Sequence, residues 1–294
     1  MPIMKEHSRG VLLVALAGVF WSTSGLGVRY MQAANGWQIV FYRSLSLALF
    51  ISFLIARRHY GKVLQNFRAL GWTGFWGGCA LAVAFTGMIL GFQLTTVANV
   101  MFILSTSPFF SALLGWYFLG EKLRRITVLS MFAAWIGVSI MVLDGLGGKG
   151  WIGCLVALTM TVATSAYAVI ARKGRKQNMF PSIVIGACLS MLISAFMMDG
   201  FAIPIGDMSL CFVLGVFQLG LGYATFTLGA RYVPAAELQV LAMTEVVFNP
   251  LWVFIGVGER PSDLSLVGGF VVLTAVSLQA YHFAKSAKAE KVLT

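Results

Sequence analysis

The chain has 294 residues, 59% hydrophobic and only 11% charged, which leaves too little polar surface for a soluble protein of this length. Its net charge of +11 raises a nucleic-acid reading. The basic residues, however, sit in short clusters between apolar runs, the signature of membrane topology, so the expected partners are a lipid bilayer and a small molecule, not a nucleic acid.

Ten apolar segments are long enough to cross a bilayer, which takes about 20 residues. The first, 10–30, continues too far for a signal peptide and has no clear small-residue cleavage site, so it reads as a retained span; Trp21 and Ser24 share one of its faces. The second, 38–56, follows the turn sequence AANGW and carries Arg43 about 7–8 Å below its outer end at 1.5 Å per residue. The third, 70–92, holds Phe85 and the pairs Gly74/Gly78 and Gly87/Gly91, a spacing that suits close helix packing. The fourth, 97–118, contains Ser107 and Pro108 and closes on Gly120-Glu121-Lys122. After the fifth, 125–143, the glycine loop DGLGGKG ends the first half. The sixth, 151–171, bears Tyr167; the seventh is 181–199; the eighth, 208–229, bears Tyr223. The ninth, 236–256, contains Glu245, Asn249 and Pro250 and closes on Gly258-Glu259-Arg260; the tenth is 264–284.

The fourth and ninth segments look alike. Laying 97–122 on 235–260 sets Ser107 on Glu245, Pro108 on Val246 and Gly-Glu-Lys on Gly-Glu-Arg. Five segments on each side of the glycine loop make the second copy enter the membrane from the opposite face. The expected fold is an all-α integral membrane protein of ten transmembrane helices in two inverted five-helix repeats, 1–147 and 148–294. With the N-terminus inside, seventeen of the 21 Lys and Arg residues face the cytoplasm and two, Lys149 and Arg260, face out. That asymmetry puts both termini in the cytoplasm.

The proline-bearing fourth segment ending LGEKL and the ninth ending GER give the chain its resemblance to the EamA-domain branch of the drug/metabolite transporter superfamily. Within the branch it looks most like the aromatic amino acid exporters of bacterial inner membranes. The resemblance implies a multi-pass inner-membrane secondary transporter, not an enzyme, that exports amino acids or similar small metabolites by alternating access. The repeat departs from symmetry where Glu245-Val246 replaces Ser107-Pro108. A polyspecific drug or cation exporter is the nearest alternative, and a non-transporting membrane scaffold or receptor a remoter one. Oligomeric state stays open, a monomer included.

Candidate substrate-binding residues follow from depth and chemistry. A carboxylate at Glu245, near the midplane, costs about 2.5–3.5 kcal/mol to insert unless it meets a substrate ammonium, couples protons or is bonded structurally. Asn249 lies one turn on, and Ser107 is the repeat partner of Glu245. Arg43 suits a substrate carboxylate, or a helix end or Glu259; Arg29 is expected only to snorkel. Trp21, Ser24, Phe85, Tyr167 and Tyr223 are expected in the pocket wall. Pro108 and Pro250 are expected to interrupt their helices, freeing the carbonyls of Leu104 and Val246. Glu121 and Glu259 are expected as interface or gate pairs. No cofactor is expected: no GxxxxGK[ST] loop occurs. Cys79, Cys154, Cys188 and Cys211 lie in apolar runs without a CxxC pair, and His7, His59 and His282 lie in tails or a loop, so no metal or disulfide framework is expected.

Overall fold

The structure is a computed structural model that describes residues 2–58, 63–120, 125–145, 150–174, 178–229, 232 and 241–292. Among them the regular structure is entirely helical. The first half gives α1 Pro2–Trp21, α2 Ser24–Arg29, α3 Gly36–Arg58, α4 Val63–Leu94, α5 Val97–Leu104, α6 Ser107–Leu119 and α7 Arg125–Gly145. The second half gives α8 Gly150–Lys173, α9 Phe180–Met197, α10 Ile205–Val213, a π-helical segment Leu214–Leu221, α11 Gly222–Gly229, α12 Thr244–Val257 and α13 Asp263–Val292.

By length and composition, seven stretches of the described residues are apolar enough to span a membrane, and they match predicted segments one to four and six to eight. Shorter apolar helices, Val128–Met141, Thr244–Val257 and Asp263–Leu278, lie in the fifth, ninth and tenth. Helices suit this sequence because hydrocarbon offers no partner for a free backbone N–H or C=O, so each span must satisfy its own.

Among the described residues, α4 kinks at Gly71, and three other spans part at turns that carry hydroxyls. The first breaks at Ser22-Thr23, the fourth at Ser105-Thr106 and the ninth at Met243. At each break hydroxyls take up carbonyls three residues back. Ser22 Oγ and Thr23 Oγ1 donate to the oxygens of Val19 and Phe20 at 2.7 and 2.8 Å. Ser105 Oγ and Thr106 Oγ1 donate to those of Phe102 and Ile103, both at 2.6 Å, and Thr244 Oγ1 to that of Leu241 at 3.0 Å. The ladder is interrupted where a side chain can replace its bonds.

Pro108 does sit at a break, in the first turn of α6, where its missing N–H costs nothing. Pro250 does not. It lies inside α12, and the interruption expected there falls at Met243 instead. A proline removes one ladder bond, which a packed membrane helix absorbs, whereas the Thr244 hydroxyl makes the earlier position the easier place to part. Gly120 and Gly258, paired in the repeat, close α6 and α12 with φ of 68° and 71°, a left-handed conformation that glycine adopts without a Cβ clash.

The sequence halves interlock. α4 packs on α8 and α9, α3 on α9, and α7 on α13. Gly78 and Gly186 let α4 and α9 approach so closely that a Cβ on Gly186 would lie 3.0 Å from the Gly78 oxygen. A Cβ on Gly87 would lie 2.8 Å from Met160 of α8. Buried side chains gather into one cluster around Phe92, Met101 and Met160 and another around Trp21, Phe85, Tyr167 and Tyr223.

Candidate functional site

The second cluster borders a cavity of about 80 Å³ where spans from both halves meet. Trp21, Arg43, Phe85, Ser107, Tyr167, Tyr223 and Glu245 all line it. Tyr223 is the hub of the aromatic wall. Its ring centroid lies 5.0 Å from Trp21, 5.4 Å from Phe85 and 6.3 Å from Tyr167. Such tilted and edge-on contacts fix ring orientation as well as bury area.

Glu245 is the second residue of α12, directly after the break at Met243, and not deep within an unbroken helix as the span count had it. The N–H of the next residue, Val246, is taken by the Met243 oxygen at 3.0 Å, which carries the chain across the break. Ser107 opens α6 in the same way after the break in the fourth span. Its carbonyl accepts from Ser165 Oγ at 3.0 Å, which ties α6 to α8. Thus both repeat-paired positions stand at a helix start on the cavity.

Arg43 is 1% exposed and donates Nη2 to the Phe85 oxygen at 3.0 Å. Its Nε and Nη1 have no partner among the described residues, and Glu259 is not near enough to bond it. Burying guanidinium donors unpaired is expensive, and these two donors stand beside the cavity. Trp21 Nε1 is a third unpartnered donor in the same wall.

Ser24 and Asn249 stand apart from the cavity. Asn249 is fully buried and spent on protein contacts: Nδ2 donates to Ser24 Oγ at 2.9 Å and Met101 Sδ at 3.5 Å, and Oδ1 accepts from Gly25 N at 3.0 Å. Expected as substrate ligands, these two instead satisfy the broken first span, because α2 starts there and its N–H groups need acceptors.

Farther along the same three elements, Glu259 and Arg29 close one end. Arg29 Nε meets Glu259 Oε2 at 2.5 Å, and Arg29 Nη2 donates to the Thr95 oxygen at 3.1 Å. Glu259 Oε1 accepts from Val97 N at 2.8 Å, at the start of α5. Arg29, expected to snorkel, is therefore a bridge between α2, α5 and the end of α12. Arg260 lies over the Phe254 ring at 5.3 Å and not on Glu259. Glu121 lies outside the described residues.

Sequence reading missed two features. Ser22-Thr23-Ser24 and Ser105-Thr106-Ser107 are the same tripeptide at two of the three breaks, a signal available by inspection. Gln218, 3% exposed, lines the cavity from the π-helical segment; helical periodicity gives no sign of it.

A family model described as the EamA-like transporter family matches residues 8–143 and again 151–281. A Clostridium kluyveri protein described as an uncharacterized transporter is 21% identical, over 95% of each chain. The pseudopaline exporter CntI of Pseudomonas aeruginosa is 24% identical, over 90% of this chain and 94% of its own. A solved crystal structure superimposes with a TM-score of 0.65 at 20% identity, over 94% of this chain and 99% of the other, which shows a shared fold.

Proposed function

The chain belongs to the EamA-like transporter family, and from that premise we propose that it exports amino acids or similar small amphipathic metabolites across a bacterial inner membrane by alternating access. It is a multi-pass membrane transporter with a small-molecule substrate. The finer reading is ten crossings in two inverted repeats, both termini cytoplasmic, with the substrate between the halves. Two family-model matches, one in each half, support it, as do the left-handed glycines at paired positions.

The observation that carries the substrate reading is the cavity itself. It presents one carboxylate, Glu245, and one under-bonded guanidinium, Arg43, within an aromatic wall. That is the complement of a small zwitterion with an apolar side chain. The relative named for pseudopaline export supports outward transport. At about 80 Å³ the cavity is narrower than the roughly 300–1,000 Å³ of drug-sized pockets. Loading therefore calls for its walls to part, and the breaks at Ser105-Thr106 and Met243 are where α6 and α12 can swing. The alternative, a polyspecific cation exporter, draws on the same Glu245 and aromatic wall but leaves Arg43 without a task. Counterflow in proteoliposomes loaded with phenylalanine, other amino acids or cationic dyes decides between them. Exchange of dyes with none of amino acids would overturn the amino acid reading.

A further inference from the structure

Gln218 is a polar cavity side chain outside the set that the sequence repeat points to. Its amide is almost wholly buried, at 3% exposure. Its Oε1 is sealed from solvent and has no hydrogen-bond partner among the described residues. An unbonded buried amide oxygen is costly to keep. Gln38 and Asn249 are engaged by the protein, Gln38 donating to the oxygens of Gly200 and Ala202 and Asn249 making three contacts, whereas Asn99 Oδ1, away from the cavity, is likewise unpartnered.

The backbone explains how Gln218 reaches the cavity. In a regular α-helix at 100° per residue, positions 218 and 223 point about 140° apart, so only one could face Tyr223's neighbours. Residues Leu214–Leu221 form a π-helical stretch instead, whose i→i+5 pairing adds residues to each turn and so narrows the angle between Gln218 and Tyr223, which follows just beyond it in α11. Both then line the cavity. Glycines let this irregular segment sit close to the other donors. A Cβ on Gly215 would strike the Arg43 carbonyl and Ser46, and one on Gly222 would strike the Trp21 indole nitrogen. Gln218 is thereby held between the elements that carry Arg43 and Trp21.

We propose that Gln218 is a substrate-binding residue that reads the zwitterionic head group of an amino-acid-like ligand, and that the π turn exists to place it there. A primary amide both donates and accepts. Its N–H complements the carboxylate that Arg43 Nε and Nη1 and Trp21 Nε1 would hold, and its carbonyl complements the ammonium that Glu245 would attract. The assignment rests on the transport reading above and adds to it the part of the substrate that is recognised.

The test uses Gln218→Leu and, as an unbranched control, Gln218→Met, in purified full-length protein and in proteoliposomes. Ligand-free thermal melting comes first. Removing an amide with an unbonded oxygen leaves the melting temperature unchanged or raised; a fall of several degrees in both variants shows a structural amide and overturns the proposal. Counterflow is then measured with phenylalanine, 2-phenylethylamine, which lacks the carboxylate, 3-phenylpropionate, which lacks the ammonium, and ethidium. Both variants are expected to lose about tenfold in apparent affinity for phenylalanine, the cost of a lost hydrogen bond, and less than about threefold for the other three. An equal loss on all probes, or none on phenylalanine, overturns the head-group role while leaving the transport reading intact. A wild-type protein that moves no amino acid overturns the amino acid reading and this assignment together.

Discussion

Phe85 and Tyr223 meet edge to face, with ring centroids 5.4 Å apart and planes at 76°. The alignment that sets Ser107 on Glu245 also sets Phe85 on Tyr223, so residues at matching positions of the two halves touch at the cavity. Under the transport reading, the cavity wall is then one surface contributed twice, with the differences between copies (Ser against Glu, Phe against Tyr) supplying its polarity. That asymmetry directs the first two predictions.

Glu245→Gln keeps the side-chain shape and removes the charge. If the carboxylate holds a substrate ammonium, the variant should bind phenylalanine about 10–100-fold more weakly, the range for hydrogen bonds to charged groups, at every pH tested. If it carries protons, counterflow survives and accumulation driven by a pH gradient is lost. Wild-type performance in both assays, at normal protein abundance, would remove Glu245 from the mechanism.

Arg43→Gln removes the free guanidinium donors. Phenylalanine counterflow should fall by at least about tenfold, while 2-phenylethylamine, without a carboxylate, should change little. Equal losses on both substrates with normal abundance would mean that Arg43 does not recognise the carboxylate.

The Arg29–Glu259 bridge joins the end of α2 to the end of α12. Both side chains are partly exposed, 25% and 19%, so the ion pair alone contributes little to stability, about 1 kcal/mol or less. Its expected role is to hold one end of the transporter shut. With Arg29→Cys and Glu259→Cys in a cysteine-free background, a short bis-methanethiosulfonate linker, which forms a disulfide to each cysteine with loss of methanesulfinate, should stop transport, and reduction should restore it. Unimpeded transport by the linked protein would show that this end does not open during the cycle.

Topology is open to a direct measurement. Asn66→Cys and Asn178→Cys, each in a cysteine-free background, should react in intact cells only with membrane-permeant thiol reagents. Labelling of either by an impermeant reagent would reverse the orientation drawn from the basic residues.

Much of this arrangement is written in the sequence at the level of composition and repeat. Trp21, Phe85, Tyr167 and Tyr223 converge, and depth along apolar segments plus the repeat register was enough to point to them. Depth fails where a helix is not a rod. Asn249 was placed on the face of Glu245 by helical spacing, yet the start of α2 at Ser24 draws it away. Gln218 is invisible to a 100° period because the π turn moves it to another face. Arg29 and Glu259 lie 230 residues apart in the chain, and no local pattern announces such a pair.

Several acceptors that complete the first half come from the second. Asp207 takes the backbone N–H groups of Gln32, Ala33 and Ala34 at 3.1, 2.9 and 2.8 Å; Asn249 takes that of Gly25, and Glu259 that of Val97. During synthesis at about 5–20 residues per second, the wait from Gln32 to Asp207 is roughly 10–35 s. Through that interval the amides of Gln32, Ala33 and Ala34 lack the partner they have in the finished protein, and those of Gly25 and Val97 wait longer still, until Asn249 and Glu259 are made. A ribosome stalled near residue 150 would leave an inserted fragment with unmet polar groups at the turns of its first and fourth spans. The first half is thus bonded to completion only when residues 207, 249 and 259 have joined it.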